Sequence, residues 1–188
     1  MTAPYDAYFE YLKGRSRLSL FYRRFILYPL LCRYLKGRAV DIGCGVGDML
    51  AFRPNTVGTD INPNTVAYCV ERGLTAVAMD MNRLPFPDDE FDSAVLDNVL
   101  EHVPDPRTLL RETARILRPA GVLLVGVPGE RGYASDADHK VFYDVETLTD
   151  TLERSGFRRT KLFHVPWRSR LLSKHVRQYC IYGVFTLR

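Results

Sequence analysis

Three glycines alternate at the end of a short apolar run, in Val40-Asp41-Ile42-Gly43-Cys44-Gly45-Val46-Gly47-Asp48. Glycine lets a ligand approach the backbone closely, and a helix starting just behind such a turn offers free N–H groups. The spacing is G-x-G-x-G, whereas a dinucleotide fingerprint would carry glycine where Asp48 stands. An aspartate facing a pyrophosphate is electrostatically wrong, which argues against NAD. Asp60 follows, closing Gly58-Thr59-Asp60-Ile61. A carboxylate there can accept hydrogen bonds from both hydroxyls of a ribose, each worth roughly 1.5–3 kcal/mol. Asn62 can already cap the helix that Pro63 opens, which leaves Asp60 for a ligand. Asp80, in Met79-Asp80-Met81, ends a third run. Its carboxylate could accept from the exocyclic amine of adenine while the Met81 N–H donates to a ring nitrogen. Taken alone, Asp80 reads as a turn residue.

These side chains need a scaffold that presents strand ends to one face. Apolar residues recur at helical spacing over 5–36, with breaks expected at Gly14 and Pro29. Strands are expected at 38–42, 56–61, 74–79, 91–96 and 121–127, the last almost entirely apolar, as in a strand buried on both faces. Helices are expected at 48–52, 63–72, 106–117 and 145–155, the last stopped by Gly156. Two final strands cover 157–164 and 179–187, joined by a basic stretch. Alternating strands and helices indicate an α/β fold with helices on both faces of a parallel sheet, whose ligands sit beyond the carboxyl ends of the strands. The 165–178 connection is too short and too basic for a buried crossover helix, so a hairpin-like return should make the last strand antiparallel.

Two further segments complete the pattern: Leu96-Asp97-Asn98-Val99-Leu100-Glu101-His102-Val103-Pro104-Asp105-Pro106 and Arg115-Ile116-Leu117-Arg118-Pro119-Ala120-Gly121. In this order and at these distances the segments resemble the class I S-adenosylmethionine-dependent methyltransferases. The likeness covers about residues 38–165 and is closest to the compact branch with ubiquinone-biosynthesis and similar small-molecule enzymes. Ala120 stands where that family usually has glycine. The resemblance implies a doubly wound, seven-stranded Rossmann-like sheet over 37–188, with residues 1–36 as a helical lid. It also implies S-adenosylmethionine as cofactor. Asp41, Gly43, Cys44 and Gly45 would line its methionine portion and ribose, Asp60 would take the ribose hydroxyls and Ile61 would pack on the adenine. Asp80 and Met81 would read the adenine edge, and Asp97 would serve the methionine amino group through its backbone.

Methyl transfer from a sulfonium needs the acceptor lone pair in line behind the methyl, and orientation alone can supply effective molarities of about 10⁵–10⁸ M. A hydroxyl acceptor must also lose its proton, and a positioned base adds ~10²–10⁴. His139, in the loop after the fifth strand, is the expected base, with Asp136 or Asp138 to orient it. His102 reads as a structural histidine packed beneath the loop. Some RNA 2′-O-methyltransferases and quinone O-methyltransferases carry E-x-x-E-H, completed by a later histidine in the former. Here Asn98 replaces the first glutamate, and losing a carboxylate weakens a site for a hard cation, so no metal site is expected.

Charge points to the acceptor. Residues 1–40 hold eight Lys/Arg against two Asp/Glu, and 157–188 hold eight against none, around an acidic middle. Both ends should face the acceptor mouth, which favours a hydroxyl or carboxylate on an anionic small molecule or glycan precursor. RNA is the second choice. No N-P-P-Y-like stretch follows the fourth strand for adenine N-methylation, nor is there a Pro-Cys pair for cytosine C5 chemistry. A cofactor-binding partner protein without catalysis is a third reading. Arginines mixed with Phe21, Tyr22, Phe25 and Ile26 would also suit peripheral contact with an anionic membrane. At 46% hydrophobic and 26% charged residues, a buried core is expected and disorder is not. Asp6 and Glu10 interrupt any leader-like apolar run, and the four cysteines form no C-x-x-C pair. A cytoplasmic protein with reduced thiols is the resulting expectation.

Overall fold

The computed structural model describes residues 3–80 and 82–188, apart from the side chains of residues 3–6 and 170. Seven strands form one sheet: β1 (Ala39–Ile42), β2 (Thr56–Asp60), β3 (Ala76–Ala78), β4 (Phe91–Asp97), β5 (Leu117–Pro128), β6 (Phe157–Val165) and β7 (Cys180–Leu187). Their order is β3-β2-β1-β4-β5-β7-β6. β1 to β5 pair in parallel, and β7 runs antiparallel between β5 and β6, as the short 165–178 connection requires.

The helices divide between the two faces as strand periodicity demands. Along β5, Leu123, Val125 and Val127 join a core with Leu109 and Leu110 of α6 (Arg107–Ile116) and Leu148 and Leu152 of α8 (Val145–Arg154). The alternate residues Val122 and Leu124 pack instead with Leu31 of α3 (Tyr28–Cys32) and Met49 of α4 (Asp48–Phe52). The other helices are α1 (Ala3–Lys13), α2 (Arg17–Tyr22), α5 (Pro63–Glu71), α7 (Glu130–Tyr133) and α9 (Arg170–His175). Asn62 caps α5 by accepting the Asn64 amide at 2.9 Å. Among the described residues no helix is long and apolar enough to cross a membrane.

Pro29 does not break the N-terminal segment. A π-helical turn over Arg23–Leu27 joins α2 to α3, and the Tyr28 amide donates to the Arg23 carbonyl. In α geometry the proline ring would clash with the carbonyl four residues back, and the wider turn relieves that contact. This segment buries Leu27, Tyr28 and Leu31 and leaves Leu18, Phe21 and Phe25 exposed.

Ala120 has φ +60°, in the left-handed region. An L side chain there costs roughly 1–2 kcal/mol, which accounts for the glycine usual at this position. Glycine gives back about 0.4–1 kcal/mol through the entropy of the unfolded chain. Ala120→Gly should therefore raise the melting temperature by about 2–4 °C. An unchanged or lower midpoint in thermal denaturation would refute this account of the turn.

Candidate active site

The glycine loop leaves β1 with positive φ at Gly43, Gly45 and Gly47. A Cβ on Gly43 would lie 2.6 Å from Val99, so no other residue fits without displacing the β4 end. Asp60 ties this loop to β2. Its Oδ2 accepts the Gly45 amide at 2.8 Å and its Oδ1 accepts the Asn62 amide at 2.8 Å. Burial raises the Asp60 carboxyl above the usual range, and those amides oppose the rise. Ile61 beside it is 38% exposed, an apolar side chain held open at the strand end. Cys44 is buried under the loop. Asp80 lies just past β3, exposed, with Oδ1 accepting the Asn82 amide at 2.7 Å. Met81 lies outside the described residues.

Asp41 and Asp97 extend the acidic lining. Asp41 is buried in β1, and its carboxyl is pushed up to about 8, first by burial and then by Asp97 and Asp60. Asp97 was expected to act through its backbone, but its side chain is itself held in place. Oδ1 accepts the Tyr182 hydroxyl at 2.8 Å and the Asn98 amide at 3.0 Å, and Oδ2 lies 3.6 Å from the Arg23 guanidinium. Gly126 makes room for this, since a Cβ there would lie 2.3 Å from the Tyr182 ring.

A second group of polar side chains gathers beside this lining. Glu101 lies on a 3₁₀ turn, Leu100–His102, and is fully buried. Its carbonyl accepts the Lys140 and Val141 amides, which fastens the loop after β5 against it. That contact brings His139 to Glu101, with Nε2 to Oε1 at 3.9 Å. Neither expected aspartate orients His139; the Tyr133 carbonyl does, 2.8 Å from Nδ1, with the two rings stacked. Asp138 lies 3.4 Å from His102 Nδ1 instead. His102 and His139 meet edge to face at 4.7 Å, so the pair forms one cluster rather than a catalytic and a structural residue apart.

Helix α1 spans both groups. Leu12 packs over Gly45, Arg15 pairs with Asp48 at 2.6 Å, Phe9 meets Tyr68 of α5, and the Tyr8 ring lies 6.4 Å from that of His102. Arg177, in the 165–178 connection, donates to the Tyr11 hydroxyl at 2.8 Å. That bond brings the basic 165–178 connection into contact with α1. Arg23, Tyr182 and Tyr8 were not singled out from the sequence. Arg23 is one of several N-terminal arginines, and Tyr182 is separated from Asp97 by most of the domain.

Residues 40–125 match the family model described as a methyltransferase domain. This is a class I S-adenosylmethionine-dependent methyltransferase domain. A probable S-adenosylmethionine-dependent methyltransferase of Mycolicibacterium smegmatis is 31% identical over 160 residues, 78% of this chain and 62% of the relative. A fatty-acid O-methyltransferase of the same organism is 42% identical over 98 residues, 46% of this chain and 35% of the relative. The chain thus spans less than two thirds of the length of these curated relatives. The crystal structure of a possible histamine N-methyltransferase from Thermotoga maritima has the same fold, with a TM-score of 0.72, 18% identity, and coverage of 97% of this chain and 98% of that one.

The cofactor of this methyltransferase domain is S-adenosylmethionine, and the acidic lining fits it. The cofactor carries a sulfonium, an ammonium and one carboxylate, a net positive charge. Asp97 and Asp60 bear on Asp41, and Arg23 offsets part of their repulsion. A cation entering there relieves the repulsion and draws the Asp41 proton off. Asp41 faces Asp97, Asp60 and Cys69, which raise its proton affinity, and Arg23, which lowers it. With the free-site value at about 8, binding near pH 7 should release a proton. Affinity should rise with pH up to about 8 and then level. Calorimetry in buffers of different ionisation heat checks this; no proton release at pH 7 would rule out Asp41 as the linked group.

Proposed function

We propose that the chain transfers the methyl group of S-adenosylmethionine to a hydroxyl or carboxylate oxygen of an anionic small molecule or glycan precursor. The observation that supports the acceptor class is the Arg177–Tyr11 contact, a hydrogen bond that brings the basic 165–178 connection against α1. Basic residues gathered beside a site would concentrate anions and speed their capture. The name of the fatty-acid O-methyltransferase supports an oxygen acceptor on a carboxylate-bearing molecule. The proton of a hydroxyl acceptor would leave at the Glu101–His102–His139 cluster, beside Tyr8.

Turnover of methyl-labelled cofactor against a panel of anionic and neutral acceptors tests this. The Michaelis constant for the acceptor should rise with salt, as the Debye length shortens from ~10 Å at 0.1 M to ~3 Å at 1 M. Arg168→Ser with Arg177→Ser should reproduce the high-salt behaviour at low salt. A double variant that methylates its acceptor normally at every salt concentration would remove anionic molecules as the substrate class.

A further inference from the structure

The helical run from α2 through the π turn to α3 has two faces, and only one of them meets the rest of the protein. Tyr22, Leu27, Tyr28 and Leu31 turn inward and join the core that holds Val122 and Leu124. Leu18, Phe21, Phe25 and Ile26 stand outward, exposed by 78%, 56%, 59% and 52%. Leu18, Phe21 and Phe25 follow at spacings of three and four, so they line one side of the run. The Phe21 and Phe25 rings rest on each other at 4.6 Å, tilted by 38°. Large apolar side chains gathered on one exposed side mark a surface that something other than water covers.

Charge decides what covers it. Residues 11–40 hold eight Lys/Arg and no Asp/Glu. Arg17 and Arg24 are exposed beside the apolar residues, and neither forms an ion pair among the described residues. A side that is both apolar and cationic calls for a partner that is both apolar and anionic, which describes a bilayer of acidic lipids. A second copy of the chain fits badly, because a twofold contact on this face would set like charges against each other. A single-stranded nucleic acid also fits badly. Its bases stack on free ring faces, whereas the two phenyl rings here already face each other and Leu18 and Ile26 have none.

We propose that the outer side of residues 17–26 docks the chain on an anionic lipid bilayer, with Leu18, Phe21 and Phe25 entering the acyl boundary and Arg17 and Arg24 held at the lipid phosphates. On the same turn Arg23 points the other way and lies 3.6 Å from Asp97. A chain docked in this way keeps the candidate cleft about one helix thickness, 10–12 Å, from the lipid surface. An acceptor carried on a lipid would then be methylated where it sits in the leaflet. That use rests on the methyl-transfer reading, whereas the docking does not.

The test is flotation of the full chain with vesicles of phosphatidylglycerol and phosphatidylcholine in equal parts, and with vesicles of phosphatidylcholine alone. Binding should be at least ~10-fold tighter to the acidic vesicles and should weaken as salt rises. Phe21→Ser with Phe25→Ser should lower it at least ~10-fold, and so should Arg17→Gln with Arg24→Gln. S-adenosylmethionine affinity, measured separately, should stay within about twofold in both variants. Should the double phenylalanine variant fail to fold, Leu18→Ser makes the same comparison from the most exposed of the four apolar positions. No binding to acidic vesicles, equal binding to neutral ones, or binding that survives the phenylalanine substitutions would overturn the proposal. So would a chain that ignores vesicles and instead self-associates through this face, or one that prefers a polyuridine strand to the vesicles. Vesicle binding is measured without turnover, so its failure and that of the methyl-transfer reading are distinct results.

Discussion

Asp60→Ala should weaken S-adenosylmethionine binding by about 1.5–3 kcal/mol, roughly ten- to a hundredfold. The carboxylate stands at the β2 end with Ile61 open beside it, where a ribose would meet both oxygens. The structure adds a second effect that a strand-end residue seen in sequence does not reveal. Asp60 also accepts the Gly45 and Asn62 amides, so alanine leaves two amides without partners and loosens the glycine loop. A stability loss of about 1–3 kcal/mol should accompany the loss of affinity. Asp60→Asn separates the two effects, because its remaining carbonyl oxygen can keep one amide while the charge is gone. Calorimetry that finds unchanged cofactor affinity in the alanine variant would remove Asp60 from the site.

His139→Ala should lower turnover of a hydroxyl acceptor by ~10²-fold or more, with little change in cofactor affinity. His139 is held from three sides: its Nδ1 on the Tyr133 carbonyl, its ring on Tyr133, and its edge against His102. Among the described residues these three contacts do not involve Asp41, Asp60 or Asp97, so the effect should fall on the chemical step. Single-turnover measurements with saturating cofactor isolate that step. If the variant loses cofactor binding and keeps its rate at saturation, the histidine belongs to the cofactor cleft and the assignment fails.

The parts of the site legible in sequence were those written in short local signals. Gly43, Gly45 and Asp60 each sit at a strand end within a few residues of a turn, and Asn62 and Pro63 mark the next helix start. The antiparallel β7 could be read from the length and charge of one connection. Pro29 misled because a local rule for α geometry was applied where a wider turn absorbs the ring. His102 and His139 are far apart in sequence, and their rings meet only in the fold, where the Glu101 carbonyl helps pin the loop after β5. The Arg23 and Tyr182 contacts to Asp97 were illegible for the same reason, since a pairing across the sheet leaves no trace in either segment alone.

Helix α1 has a consequence for kinetic order. It places Leu12 on the glycine loop and Tyr8 beside the cluster where the acceptor is expected, so one element closes both compartments. Donor exchange should then require that helix to lift, because the same element borders both places. Product-inhibition kinetics should then show the donor entering first and its spent form leaving last, one helix setting the sequence; a random order would mean that α1 does not gate the cleft.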